Sequence, residues 1–491
     1  MASRLHPLSV PVRGGGRAIG LAVAGWVLGS MGGESLQAID VLPAWIPLGP
    51  LAAGIAILAA LGYEVLRYQR YEYELTDTSL DINSGVLFRR QREIPLRRVQ
   101  NVDIERSILQ RALGIATVGI ETAGGSSTEA SLEYVSEVEA ARLQEGIRTR
   151  KRDVEPADAD RAATDAPDEA SLLFELDDES LVLYSILSFD PRVLSVLFFV
   201  VPSVAPFVSG YIDSGSALVF LGIGLTVLLA TALGAWLLSA FSRFVNYYGF
   251  RLSRIGEELR YERGLLQRYD GSIPEGKIQT VVIEENVLMR LFGYASLSIE
   301  TAGYGPEAAA ESASAVPLAR REHLLELARD LEPFGELEFE RPAPAAKRRY
   351  VFRYAIVVTA ILVAGLAISR FVRPVPWYAL AVLYAAVPIA ARKQWEHRGW
   401  SLPEGYIATR TGFWRRRTHV VSNDRVQTVI DRRTLFQRRW DLGTVYVDTA
   451  SSGGFIAEEA RAIDVDRDQA DTLRIDVLDR LVAALGLDDR D

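Results

Sequence analysis

One block of residues recurs three times along this chain, and each copy follows a pair of apolar stretches. The first copy reads Val99-Gln100-Asn101-Val102, then Gln110-Arg111, then Ile120-Glu121-Thr122-Ala123. The second reads Ile278-Gln279-Thr280-Val281, then Met289-Arg290, then Ile299-Glu300-Thr301-Ala302. The third reads Val426-Gln427-Thr428-Val429, then Gln437-Arg438, then Val447-Asp448-Thr449-Ala450. In every copy the acid follows the leading Gln by 21 residues, with no gap. Repetition of this kind means one structural unit built several times. A surface made three times suits binding or scaffolding better than a single active site.

Six uncharged stretches precede the copies in pairs: Ala18–Gly33 and Val41–Tyr63, Val193–Ile212 and Ser214–Ser242, Tyr354–Ser369 and Pro374–Ala391. A bilayer core takes about 17–25 apolar residues per helix, so the spacing predicts six membrane helices in three hairpins. Arg13 and Arg17 ahead of an apolar run have the order of a signal peptide, but a partner span follows at once and the hairpin recurs twice. Arg4, Arg13, Arg17, Arg67 and Arg70 flank the first hairpin, whose turn carries Glu34 and Asp40. The second turn has Asp213 and no base, whereas the third has Arg370 and Arg373. Two hairpins against one place the termini and all three modules in the cytoplasm.

Each module spans about 80 residues and reads as short strands closed by one helix. In the first, Tyr71–Thr76, Leu80–Asn83, Val86–Ile94, Val99–Ile104, Thr117–Glu121 and Ala130–Tyr134 are β-like, and a helix follows Ser136, whose capping-box partner is Glu139. The later copies end in helices over Ala319–Leu331 and Gln469–Leu485. Residues 153–178 hold ten acids against Arg161, which equals the whole chain's net charge of −9. That stretch reads as a self-repelling disordered linker. The expected organisation is hairpin 1 over 1–66, module 1 over 67–150, the acidic linker over 151–180 and hairpin 2 over 181–242. Module 2 covers 243–332, a linker 333–349, hairpin 3 350–392 and module 3 393–487.

Composition removes several chemistries. There is no Cys, and the four His residues have no metal-like spacing. No cofactor or metal site is expected. Only four of the 54 basic residues are Lys, which fits a salt-loving host or a high-GC genome equally well.

Strands closed by a helix, together with the run Arg106-Ser107-Ile108-Leu109-Gln110-Arg111-Ala112-Leu113-Gly114-Ile115-Ala116-Thr117-Val118 and the opening Leu5-His6-Pro7-Leu8-Ser9, resemble the bacterial pleckstrin-homology-like domain family. The chain looks like the polytopic YdbT-type members, in which hairpins alternate with such modules. The second module departs from the run with Met289, and the third with Trp440-Asp441. The resemblance implies small, strongly bent α+β barrels, each with a C-terminal helix. It supplies no enzymatic activity. It implies membrane-tethered binding, to a second copy or to a smaller single-module relative.

Three sets of residues carry the functional expectations. The signature positions Gln100, Arg111, Glu121, Gln279, Arg290, Glu300, Gln427, Arg438 and Asp448 are expected to be structural, because no acid, base or metal partner recurs beside the carboxylates. Each acid is expected to bond a backbone N–H or an Arg such as Arg106. The Gly pairs after them, Gly124-Gly125, Gly303-Tyr304-Gly305 and Gly453-Gly454, lack phosphate-loop spacing and read as hairpin turns. The basic runs are the binding candidates: Arg89, Arg90, Arg92, Arg97 and Arg98 in module 1, and Arg410, Arg415, Arg416 and Arg417 in module 3. Guanidinium forks suit phosphate oxygens, so anionic lipids are candidate ligands beside the bilayer itself. The plainer alternative is a solvated, positive-inside strand face. Nearly unbroken apolar spans argue against a transporter. An acidic chain without an aromatic stacking platform argues against nucleic acid. The sequence therefore points to a non-catalytic, multi-pass scaffold of the cytoplasmic membrane. A sensor of anionic head groups is the alternative.

Overall fold

A computed structural model describes residues 3–38, 48–86, 88–122, 130–154, 170–188, 217–301, 314–371, 377–450 and 459–484. The Gly turns of all three signatures and the stretch Val193–Ile212 lie outside them. The chain divides into two compact units, Met1–Asp168 with Leu266–Ser272, and Glu169–Leu265 with Ile273–Asp491.

In the first unit, β1 (Ser3–Arg4) is followed by α1 (Ser9–Ala38) and α2 (Leu48–Arg70). These helices pack closely because small residues line the contact: a Cβ on Gly29 would sit 2.6 Å from the Leu48 carbonyl oxygen. Buried Glu64 pairs with Arg17 across the hairpin, and Arg13 reaches Glu133 at 2.6 Å. Module 1 follows as β2 (Glu72–Leu75), β3 (Ser79–Ser84), β4 (Arg90–Pro95), β5 (Val99–Ser107), α3 (Ile108–Ala112), β6 (Ile115–Thr122), β7 (Ala130–Ser136) and α4 (Glu137–Val154). All six strands read from the sequence are present. β1 to β4 form one antiparallel sheet in that order, with β4 at its edge. β5, β6 and β7 form a second sheet. Leu80, Ile94, Leu96, Ile120, Leu132 and Ile147 fill the core beneath α4.

The second unit opens with β8 (Ser171–Glu175) and α5 (Asp178–Leu187). Asp177 caps α5 by accepting the Ser180 N–H at 3.1 Å. Both ends of the expected linker are therefore ordered: residues 151–154 continue α4, and β8 pairs with β9. The apolar run Leu172-Leu173-Phe174 outweighs the acids around it, because Phe174 packs on Phe250 at 6.3 Å. Residues 155–169 lie outside the described chain. Next come α6 (Ala217–Tyr247), β9 (Arg251–Ile255), β10 (Glu258–Arg263), β11 (Gln267–Pro274), β12 (Ile278–Asn286), α7 (Val287–Phe292), β13 (Tyr294–Thr301), β14 (Ser314–Arg320) and α8 (Arg321–Leu331). The third hairpin and module are α9 (Ala345–Phe371), α10 (Val387–Glu396), β15 (Gly399–Ser401), β16 (Tyr406–Thr411), β17 (Arg415–Ser422), β18 (Val426–Arg432), α11 (Leu435–Arg439), β19 (Leu442–Thr449), β20 (Ala460–Asp466) and α12 (Arg467–Ala484).

Two expectations are corrected. Among the described residues two helices, Leu48–Arg70 and Ala345–Arg370, are long and apolar enough to cross a membrane, against six expected spans. α1 and α6 are continuous helices through much of two further stretches. Pro374–Ala391, by contrast, is not one helix. Residues 377–386 wind as a 3-10 segment, and α10 begins at Val387 with Pro388 in its first turn. Proline lacks the N–H that would join the two segments.

The second correction concerns the barrels. Among the described residues no barrel is closed. β14-β13-β12-β17-β16-β15 form one six-stranded sheet, so the first sheet of module 3 continues the second sheet of module 2. Tyr406, Ala408 and Val420 of module 3 share a core with Leu252, Leu297 and Leu324 of module 2. β18, β19 and β20 form a separate sheet, packed on α12. An unpaired strand edge exposes a row of backbone donors and acceptors, and here the neighbouring module covers it.

Candidate functional site

The repeat signature resolves into three devices. The leading Gln marks a break in strand register: pairing slips between Val99 and Asn101, between Ile278 and Thr280, and between Val426 and Thr428. Beyond the slip, Asn101 faces Glu121, Thr280 faces Glu300 and Thr428 faces Asp448. The constant spacing of 21 is thus the length of a bulged hairpin with a short helix at its far end. A bulge bends and twists its strand, which curves each module over its core.

The second device is the short helix after the bulged strand, which sequence reading missed. Ser107, Asn286 and Thr434 cap α3, α7 and α11. Gln110 and Gln437 return the bond to the cap backbone at 2.8 and 3.0 Å. A Ser/Thr followed three residues later by Gln was the signal available for it.

The third device is a strand joint, used twice. Within the first unit, Gln267, Arg268, Tyr269 and Asp270 of the second repeat pair with Ser107, Arg106, Glu105 and Ile104 on the outer edge of β5. Within the second unit, Arg415, Arg416, Arg417 and Thr418 pair with Asn286, Glu285, Glu284 and Ile283 on the outer edge of β12. Counted from the turn glycines Gly264 and Gly412 and from Val99 and Ile278, the two ladders have the same register. The signature Arg completes each joint. Arg111 donates to the Leu266 carbonyl at 3.5 Å, and Arg290 donates to the Phe413 carbonyl at 2.6 Å. The Arg290 guanidinium also lies over the Phe413 ring. The equivalent Arg438 is exposed, and among the described residues its side chain has no partner.

The basic run of module 3 is consumed by this joint. Arg416 holds Glu285 by two bonds of 2.8 Å, and Arg321 adds a contact at 3.4 Å. Arg415 and Arg417 both reach Glu284, at 2.5 and 2.8 Å. Burial pushes the Glu284 carboxyl up, but the Arg415 and Arg417 guanidiniums outweigh it and hold the group below the usual carboxylate range. Arg410 lies over the Phe339 ring at 4.2 Å. Burial, with Arg416 nearby, pushes it down to about 10. His397 is pushed down to about 4 by burial and by Arg290, Arg416 and Arg410, so it is neutral at physiological pH. The module 3 candidates are therefore engaged inside the protein.

Module 1 differs. Arg89, Arg90, Arg97 and Arg98 are exposed and Arg92 is half-buried. Among the described residues Arg89, Arg90 and Arg97 form no ion pair. Asp448 is raised by burial and accepts a bond from the Thr449 backbone, while Arg106 contacts Glu137 at 3.7 Å and Glu300 lies across the bulge from Thr280. The side chains of Gln100 and Glu121 lie outside the described residues. Among the described residues no group of three or more His, Asp or Glu is placed to hold a metal.

A further cluster ties hairpin 3 to module 3. Asp464, fully buried, pairs with Arg349, accepts from Gln437 at 2.9 Å and meets Arg398 at 3.4 Å. It sits at φ 61°, a left-handed conformation uncommon outside glycine. An open cleft lined by Arg341, Lys347, Arg392 and Trp395 forms between α9 and α10.

The bacterial PH domain model (bPH_2) matches residues 25–151, 196–333 and 352–481. The chain is 26% identical over 440 residues to the UPF0699 transmembrane protein YdbT of Bacillus subtilis (strain 168), covering 86% of this chain and 88% of that one. It is 31% identical over 107 residues to the UPF0699 transmembrane protein YdbS of the same organism, covering 21% of this chain and 65% of that protein. No solved structure matches.

Proposed function

Because the chain belongs to the bacterial PH domain family, as a transmembrane member of the YdbT type, we propose that it is a non-catalytic scaffold. It is anchored in the cytoplasmic membrane by several passes and presents its three modules at the cytoplasmic face for protein assembly. The observation that carries this reading is the use of Arg415, Arg416 and Arg417. These residues have the composition of a phosphate site, yet they bind Glu284 and Glu285 of the neighbouring module. In this chain a basic strand is a strand-joining device, and charge-assisted bonds give such joints both strength and register. The partners that fit are a second copy or a single-module relative.

The test is quantitative mass spectrometry of the intact protein captured in native-lipid nanodiscs, with proteins and lipids counted together. A stoichiometric protein partner or a defined oligomer is the expected result. A protein that is monomeric and without a partner ends the scaffold reading.

A second reading, sensing of anionic head groups, is favoured by the exposed Arg89, Arg90, Arg97 and Arg98 beside Arg92. It requires that reversing the charge of Arg89, Arg90 and Arg92 abolishes binding to anionic vesicles at the host's own salt.

A further inference from the structure

The joint used twice inside the molecule leaves its donor half unused at one end. A donor strand starts three residues after a turn glycine: Gln267 after Gly264, and Arg415 after Gly412. The same count from Gly85 reaches Phe88, two residues before β4 begins at Arg90, with Arg89 directly ahead of the strand, and ten residues on from each glycine stand Pro95, Pro274 and Ser422. β4 is therefore the equivalent of β11 and β17. Arg89 takes the place of Arg416, and Arg90 that of Arg417. Among the described residues β4 is the edge strand of its sheet. Its Arg90 and Gln91 are exposed, whereas their equivalents in β17, Arg417 and Thr418, are half-buried and buried. An open strand edge is a template for an added strand.

Charge selects what can fill it. In the register of the existing joints, Arg90 faces the position held by Glu284 and Arg89 the position held by Glu285. An acid directly opposite a base stabilises a strand pair, and a like charge opposes it. The equivalent acceptor strands of the chain itself are excluded. The β5 edge holds Gln267–Asp270 and the β12 edge holds β17. The third, β18, carries Arg432 and Arg433 at the two acidic positions. A second copy docking β4 onto β18 would set guanidinium against guanidinium at both positions, whereas the β5 joint has one such pair, Arg268 opposite Arg106, beside Tyr269 opposite Glu105, so β18 is the disfavoured acceptor.

We infer that β4 docks an extended strand of a different protein, one carrying two consecutive acids at the Glu284 and Glu285 positions, so that this strand extends the module 1 sheet with Arg90 and Arg89 as its anchors. The inference rests on the scaffold reading and names the class of partner.

The probe is a labelled peptide of the sequence Ile278–Asn286, added to the full-length protein in neutral phosphatidylcholine nanodiscs. Saturable binding is expected, with hydrogen-exchange protection gained in β4. Replacing both peptide acids with Lys, or the pair Arg89→Glu and Arg90→Glu in the protein, should each weaken binding at least tenfold. Combining the two reversals should restore it, which also shows that the variant protein is folded. Binding that ignores both reversals, protection gained in β18 instead of β4, or no saturable binding overturns the inference. So does protection of β4 by phosphatidylglycerol vesicles without peptide, which would assign Arg89 and Arg90 to head groups. If native-lipid capture finds a partner that the Arg89→Glu, Arg90→Glu protein retains, the edge assignment fails and the scaffold stands. If the peptide behaves as expected and the wild-type protein has no partner, the edge stands and the scaffold reading fails.

Discussion

β12 and β18 occupy the same place in consecutive repeats and have opposite fates. Gln279 and Thr280 of β12 are 8% and 2% exposed, whereas their equivalents Gln427 and Thr428 are exposed. The bulge, the cap and the hairpin partner are alike in the two. What differs is the neighbour: β17 lies on β12, and β18 is an edge. The charges follow the neighbour. Glu284 and Glu285 face three guanidiniums of β17, while among the described residues no strand pairs with the outer edge of β18, which carries Arg432 and Arg433. Arg433 turns back to Asp431 and Asp471 at 2.6 and 2.8 Å. The module is thus a constant frame whose outer edge is specialised by two residues. In β12 those two residues are acids that anchor the next module, and in β18 both are basic.

The sharpest way to break this contrast is to remove an anchor. Glu285→Ala leaves Arg416 half-desolvated and unpaired, and removing one member of a buried pair costs about 3–5 kcal/mol. Thermal melts and hydrogen exchange in nanodiscs should show β17 and β12 losing protection together. The equivalent Arg433→Ala at the open edge should cost about 1 kcal/mol or less, as for partly exposed ion pairs. Equal costs would mean that the 2–3 joint is not held by its charges.

Packing gives the next largest difference. Val281 is fully buried, and Val281→Ala deletes two methyl groups and leaves a void, for about 2 kcal/mol. Val429, its counterpart at the open edge, is only partly buried, so Val429→Ala should cost about half as much. Arg290→Ala and Arg438→Ala form a third pair. Arg290 bonds the Phe413 and Glu285 carbonyls, and hydrogen bonds from a charged group are worth about 1.5–3 kcal/mol net. Arg438 should fall within about 0.5 kcal/mol of zero, as exposed substitutions do. A large effect at Arg438 would show that a ligand or partner already occupies the third edge.

The frame was legible in the sequence and the joint was not. Period-2 alternation in Tyr71, Tyr73 and Leu75, turn residues and the 21-residue spacing lead to the strands, because each of these signals is local. The pairing of Arg416 with Glu285 spans 131 residues, and nothing local distinguishes that Arg run from the one at Arg89. The runs at Arg89 and Arg415 therefore read as one kind of surface, and only the ladder separates them. The acidic linker was read by composition. That outweighed the apolar triplet Leu172-Leu173-Phe174, whose strand character depends on β9 about 80 residues later.

The smallest effect isolates one charge of the joint. Glu284 is held below its ordinary value of 4.5 by Arg415 and Arg417, with His419 adding to them. A depressed carboxylate stabilises the fold fully above its unfolded value and loses that stabilisation as pH falls through its folded value. The melting temperature of the protein should therefore drop on going from pH 5 toward pH 3. Other carboxylates contribute to that drop, so the readout is the difference from Glu284→Gln. That variant starts less stable at pH 7 and should converge on the wild type in acid. The open edge offers the control. At the position of Glu284, β18 has Arg432, which does not titrate in this range, and Arg432→Gln should shift the whole profile without changing its slope. Parallel profiles for wild type and Glu284→Gln would mean that the Arg415–Glu284–Arg417 contact contributes nothing. The burial of β12 would then rest on packing alone.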